Sequence, residues 1–322
     1  NGAGEMLVYS ATDFEDFREP RPDMPPNMEA DLERIARHLA QVKWPFRLHA
    51  TYDQTITRAL DVFERVNRDV PLSDLHWFLD HAETISPRNI DRVKALGGGI
   101  AIQHRMAYQA EDFLKRYGKE ITAEAPPIRR ILAAGVPLGA GTDATRVASY
   151  NPWVSLAWLV TGSTLGGTIL YPKENRVDRT TALRLWTEAN AWFSREEGRK
   201  GAIRVGQLAD VAVLTADYMT VPDGEIRNLA SVLTLVGGNV VYGEGPFTTL
   251  APPLPPASPD WSPVNRYGGY HRPVRARAAG EAALAGAMIN QHNCTVHGQR
   301  PAFAWLAEIP AADQREFWSA LG

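Results

Sequence analysis

The chain has 322 residues, 44% of them hydrophobic, and a formal net charge of −3. That is ample material for a large packed core, and the near-neutral balance argues against nucleic acid as the main partner. No run of about 18 apolar residues occurs, which argues against a membrane span. The single cysteine, Cys294, excludes an internal disulfide and any cysteine-based metal cluster; it reads as a plain thiol in a reducing, cytoplasmic compartment. The opening Asn1-Gly2-Ala3-Gly4 reads as the interior of a longer protein, so the lack of a signal peptide here says little about localisation.

Met6-Leu7-Val8-Tyr9 predicts a first strand, and Pro20 to Pro26 a proline-rich loop. Asn27 is placed to cap a helix over Met28 to Gln41, where Leu32, Ile35, Ala36 and Leu39 recur at helical spacing. A strand follows over Pro45 to His49. Asp53 is placed to cap the next helix, with Ile56, Leu60, Phe63 and Val66 on one face. Trp77-Phe78-Leu79 leads into His81. Pro87 starts a helix that runs to the glycines at 97 to 99, and Ile100-Ala101-Ile102 is a strand ending near Gln103 and His104. Pro127 to Ala134 is helical and closed by Gly135; Val136 to Ala140 is a strand ending near Asp143. Helical segments are predicted near Trp153 to Thr161 and Arg179 to Phe193.

Strand starts roughly 25 to 40 residues apart, with helical patterns between them, imply parallel strands. An open doubly wound sheet is the alternative, but it advertises a glycine-rich phosphate loop after a strand. Gly97-Gly98-Gly99 instead precedes a strand and ends a helix. Further on the pattern changes to short strands at Ala209 to Leu214, Ser231 to Val236 and Asn239 to Tyr242, with Gly237-Gly238 as a hairpin turn. Phe247 to Pro263 reads as an irregular wrap, and residues 279 to 292 as a helix. The domain plan is thus a (β/α) barrel portion over 1–198, β-module strands over 199–247, and a proline-rich segment and tail over 248–322.

Three segments carry chemistry: Arg47-Leu48-His49, Leu79-Asp80-His81-Ala82-Glu83 and Gly139-Ala140-Gly141-Thr142-Asp143. Each places a metal-competent side chain just after an apolar run, in the order His, His, Asp. Residues at the C-terminal ends of barrel strands share one mouth. Two imidazoles and a carboxylate there suit Zn²⁺ or a similar ion, which lowers the pKa of water toward 7. An aspartate beside that water can take its proton and pass it to a leaving group. Taken singly, His49 and His81 read as satisfied core histidines and Asp143 as a cap or turn residue; their position, order and flanks favour ligands and a catalytic carboxylate.

These segments resemble the amidohydrolase superfamily, in its amidohydrolase-3 or YtcJ-like branch, over most of residues 1 to 247. Arg47-Leu48-His49-Ala50 resembles the family's strand-five histidine ligand. His81-Ala82-Glu83, with Ser86-Pro87-Arg88-Asn89-Ile90 and Leu96-Gly97, resembles the strand-six histidine and its helix. Gly141-Thr142-Asp143-Ala144 is similar to the strand-eight aspartate. Gly201-Ala202-Ile203-Arg204-Val205-Gly206-Gln207-Leu208-Ala209-Asp210-Val211 is similar to the entry into the family's C-terminal β module and is the most specific motif. Trp186-Thr187-Glu188-Ala189-Asn190-Ala191 fits the helix before it.

The resemblance implies an α/β fold: a TIM-type (β/α)8 metal-dependent hydrolase barrel, incomplete at its N-terminus, with part of a small β-sandwich module. It implies one or two divalent ions, zinc first, in the intact protein, and hydrolysis of an amide or formamide-like C–N bond of a small molecule. It also exposes gaps. The family's His-x-His is missing, since the histidines at 38, 49, 76, 81, 104, 271, 292 and 297 include no pair two apart. The metal-bridging lysine of many members has no counterpart, because Lys43 precedes the strand that ends at His49. Glu5 is the best local substitute as a ligand, ahead of Asp13 and Glu15. The chain therefore reads as the C-terminal part of a longer amidohydrolase, completed by an upstream segment or a partner chain.

His104 and Arg105 follow a strand end and are candidates for a substrate carboxylate or carbonyl, with a structural ion pair as the equal alternative. Arg146 and Trp153 lie after Asp143; arginine can hold an anion bidentately, while packing is the plainer role for Trp153. Glu83 reads as a residue that supports the site or as an ion-pair partner. Two other readings stay open: an inert structural half that needs a partner, and the same barrel with ester hydrolysis, decarboxylation or isomerisation. A barrel short of strands exposes sheet edges that must be covered, so a homo-oligomer is expected.

Overall fold

In a computed structural model, the structure describes residues 27–144 and 148–253. The expected strand at 6–9, the proline-rich loop, Glu5, Asp13, Glu15, Arg146, the helix at 279–292 and the rest of the tail lie outside the described residues.

Helices and parallel strands alternate as α1 (Met28–Gln41), β1 (Arg47–Ala50), α2 (Asp53–Asp69), β2 (Phe78–His81), α3 (Pro87–Ala95), β3 (Gly99–Gln103), α4 (Met106–Ala123), α5 (Ile128–Ala134) and β4 (Leu138–Gly141). The four strands form one parallel sheet in sequence order, as expected for repeated strand–helix crossovers. Its register aligns Leu48, Leu79, Ile100 and Leu138 in one row. All but the half-buried Leu48 are buried in the core with Ile56, Leu60, Phe63 and Val66 of α2. Successive strand residues face opposite sides, so Arg47, His49, Phe78 and Asp80 occupy the other face.

That second face is partly filled from the far end of the chain. After α6 (Pro152–Thr161) and α7 (Arg179–Trp186), the chain breaks at Thr187 (φ −120°, ψ −87°) into a 3₁₀ turn, Ala189–Ser194. The single helix expected over Arg179 to Phe193 is thus two pieces. The break turns Asn190 toward the sheet, where its Nδ2 donates to the Ala140 carbonyl at 3.0 Å. Phe193 meets Phe78 edge-on at 4.7 Å, and Trp192 stacks on His76 at 4.6 Å. Gly99 and Gly139 make room: a Cβ on Gly99 would lie 2.5 Å from the Trp192 ring, and one on Gly139 2.5 Å from the Phe193 ring.

Other expectations need correction. Helix α4 was not anticipated; its apolar positions Ala107, Ala110, Phe113 and Leu114 are helical in spacing, but Gly118 (φ 80°, ψ 171°) interrupts it. Asn27 stands at the start of α1 without capping it, because its side chain donates to Asp31 at 2.7 Å. Asp53 lies inside α2, after Tyr52 as its N-cap residue. Its carboxylate ties α2 to α3 by accepting from the Ser86 amide (2.6 Å) and Asn89 Nδ2 (2.7 Å).

The β module is a three-stranded antiparallel sheet of β5 (Val211–Leu214), β6 (Ser231–Val236) and β7 (Asn239–Gly243). Gly237 and Gly238 turn the β6–β7 hairpin with φ of 57° and 82°, a conformation that favours glycine. Asp210 secures that turn by accepting from the Gly237 amide at 2.7 Å.

Gly139→Ala tests the seating of the 3₁₀ turn. The added methyl has no space beside Phe193 and Asn190, so stability should fall by about 1–3 kcal/mol. Urea denaturation measures this, and an unchanged midpoint contradicts the packing.

Candidate metal centre

Three of the residues singled out by sequence converge at the C-terminal ends of the strands. His49 is half-buried on β1, with Nε2 3.4 Å from Thr51 Oγ1. His81 closes β2 and is buried, 5% exposed. Their rings lie 4.2 Å apart at 65°. Asp143 follows β4 by two residues, with its side chain 46% exposed and Oδ2 4.0 Å from His81 Nδ1.

The backbone is bent to bring them there. His81 (φ 81°), Ala82 (φ 56°) and Asp143 (φ 53°) all adopt positive φ, which is uncommon for residues with a Cβ. The surroundings hold the β2 turn, since the Ala82 and Thr84 amides donate to the carbonyls of Ala50 and Thr51 (3.0 and 3.2 Å). Such bends persist where neighbouring structure over-determines them, often at functional sites.

Behind His81 lies a sealed polar row. Glu83, 1% exposed, has Oε1 4.0 Å from His81 Nδ1 and accepts from Gln103 Nε2 at 2.8 Å. The Gln103 carbonyl in turn accepts from the Arg105 backbone amide. Arg105 is half-buried, and its charge reaches His81.

His104 does not join this group. It is fully buried; its Nε2 donates to the Ser149 carbonyl at 3.1 Å, and its Nδ1 has no hydrogen-bond partner. Because a carbonyl only accepts, Nε2 carries the proton. Trp153 is half-buried at the start of α6, where its amide donates to the capping Asn151 at 2.9 Å and its ring faces Tyr218 at 6.2 Å.

Two residues that sequence reasoning passed over belong here. Asp80 is paired in register with His49, lies on the same face, and has Oδ2 3.5 Å from Arg47 Nε. Only the pairing of β1 with β2 brings it beside His49. Gln103 was seen only as a strand end, and nothing local in the sequence marks it as the bridge to Glu83.

Burial sets the protonation of the site. It lowers the pKa of His81 to about 2, helped by the neighbouring His49, Arg105 and Arg47. It lowers that of His104 to about 4, opposed by the bond to Ser149. Burial raises the Asp80 carboxyl, while Arg47 and His49 oppose the rise.

A divalent ion is the group this donor set fits in kind. Neutral imidazoles and a carboxylate are the ligands zinc takes. Among the described residues, no three His, Cys, Asp or Glu side chains are close enough to hold an ion as they stand. Also among the described residues, no helix is long and apolar enough to cross a membrane.

Residues 1–242 match the amidohydrolase family model. Over 216 residues the chain is 24% identical to the putative amidohydrolase YtcJ of Bacillus subtilis (strain 168), covering 66% of this chain and 40% of that protein. Over 216 residues it is 27% identical to the N-substituted formamide deformylase of Arthrobacter pascens, covering 66% and 39%. Among solved structures it resembles an uncharacterized metal-dependent hydrolase from Pyrococcus horikoshii OT3, with TM-score 0.55 and 21% identity over 70% of this chain and 44% of that one. That last likeness is one of fold. The matched stretch spans about two-fifths of the curated relatives' length (40% and 39%).

Stability should depend on pH through the buried imidazoles. Between pH 6.5 and their depressed values they bind fewer protons folded than unfolded, so their contribution is complete above pH 6.5 and is lost as pH falls. For His104 the loss on going from pH 7 to pH 5 is about 2 kcal/mol. Urea unfolding at both pH values should show His104→Gln less acid-sensitive than the native chain by that amount; equal sensitivity contradicts the assignment.

Proposed function

The chain belongs to the amidohydrolase family, and from that premise we propose that the whole protein is a metal-dependent hydrolase of a small-molecule C–N bond, amide or formamide-like. The observation that carries the reading is the meeting of His49, His81 and Asp143 at the ends of parallel strands β1, β2 and β4. The name of the Arthrobacter relative supports the choice of bond. In this reading the four described strands belong to an eight-stranded barrel.

His49 and His81 would hold the ion, zinc by the chemistry of the donor set; burial keeps His81 neutral and able to donate a lone pair. The bound ion supplies the positive charge that acidifies water and polarises a carbonyl. Asp143, exposed and beside His81, takes a proton from the attacking water and returns it to the departing amine. Water and amide are thereby converted to acid and amine with no net proton released by the protein. Arg105, and Arg146 after Asp143, are proposed to orient an anionic part of the substrate.

One observation favours a second reading, in which this chain is a structural half without activity of its own: among the described residues no three donors are set to hold an ion as they stand.

The test is hydrolysis of N-substituted formamides by the zinc-loaded 322-residue chain. Asp143→Asn should lower kcat by about 10²–10⁴-fold with folding intact. Activity that survives this substitution, or exhaustive chelation, contradicts the mechanism. Zinc binding without turnover supports the structural half.

A further inference from the structure

We propose that Glu83 is the positioning residue for His81: its carboxylate accepts a hydrogen bond from the His81 Nδ1–H and thereby presents Nε2 to the ion. This rests on the reading of His81 as a metal ligand.

Both groups are sealed, at 1% and 5% exposure, and Glu83 Oε1 lies 4.0 Å from Nδ1. Nδ1 has no hydrogen-bond partner, and a buried imidazole nitrogen left so is costly. Asp143 Oδ2 is equally distant, but that carboxylate is 46% exposed. Glu83 is the acceptor that dry surroundings make available.

Glu83 is itself held. Gln103, 5% exposed, donates from Nε2 to Glu83 Oε1 at 2.8 Å and accepts from the Arg105 amide through its carbonyl. A carboxylate only accepts and a backbone N–H only donates, so the Gln103 amide has one workable orientation. Hydrogen bonds therefore run from the Arg105 amide through Gln103 to Glu83 Oε1, which faces His81 Nδ1 at 4.0 Å. A carboxylate on the far nitrogen of a ligating imidazole fixes its tautomer and raises its basicity. The short spacing His81-Ala82-Glu83 achieves this because the positive φ of His81 and Ala82 folds the strand end back on itself.

Two measurements on the full chain test this. In the zinc-free protein, long-range ¹H–¹⁵N spectra should show His81 protonated at Nδ1; protonation at Nε2 overturns the proposal whether or not any variant folds. Zinc affinity, read by competition with a chromophoric chelator, should weaken about 10–100-fold in Glu83→Gln with unchanged stoichiometry. Gln103→Leu should weaken it in the same direction. Unchanged affinity in Glu83→Gln, alongside lost binding in His81→Ala, overturns the role of Glu83 alone. Stoichiometry that falls in Glu83→Gln as in His81→Ala makes Glu83 a ligand and overturns its positioning role. Native chain that binds no zinc overturns the underlying metal reading instead.

Discussion

The register of the parallel sheet is the constraint on which the site depends. Leu48, Leu79, Ile100 and Leu138 must share the face that packs against the helices, and this alone sends His49 and Asp80 to the opposite face. A slip of one residue would turn Arg47 and His49 into the apolar layer against the helices and take Leu48 or its partners out of it, a penalty large enough to exclude it. The hydrophobic effect, acting on four apolar side chains with no chemistry of their own, thus decides where the chemical ones point.

From that register the strand ends follow. Ala50 stands opposite His81, and the Ala82 amide donates to the Ala50 carbonyl as the chain leaves the ladder. The positive φ values at His81, Ala82 and Asp143 are the local cost of gathering side chains from three strands. The far face is filled at the opposite end by Trp192, Phe193 and Asn190. Burial then does chemical work, since dry surroundings keep His81 neutral and leave the exposed Asp143 as the carboxylate in contact with water.

Much of this was legible in the sequence, for identifiable reasons. Short apolar runs ending in His49, His81 and Asp143 announce strand ends because parallel strands are buried on both faces. Gly237-Gly238 announces a hairpin because both residues need positive φ. What escaped depends on partners distant in the chain. The break at Thr187 exists because Asn190 reaches a carbonyl 50 residues away. His104 is sealed by the Ser149 carbonyl, 45 residues on. Asp80 enters the site only once β1 and β2 are paired. Helix α4 was obscured by Gly118, a residue whose local signal is to end a helix. The roles given to Glu5 and Arg146 concern residues outside those described.

The central claim is that His49 and His81 share one ion. It is tested most directly by crystals of the full chain soaked in zinc and measured on either side of the zinc absorption edge. The account predicts one strong anomalous peak within about 2.1 Å of a nitrogen of each ring, with Asp143 beside it. A peak that involves neither histidine, or no peak at saturating zinc, would contradict it.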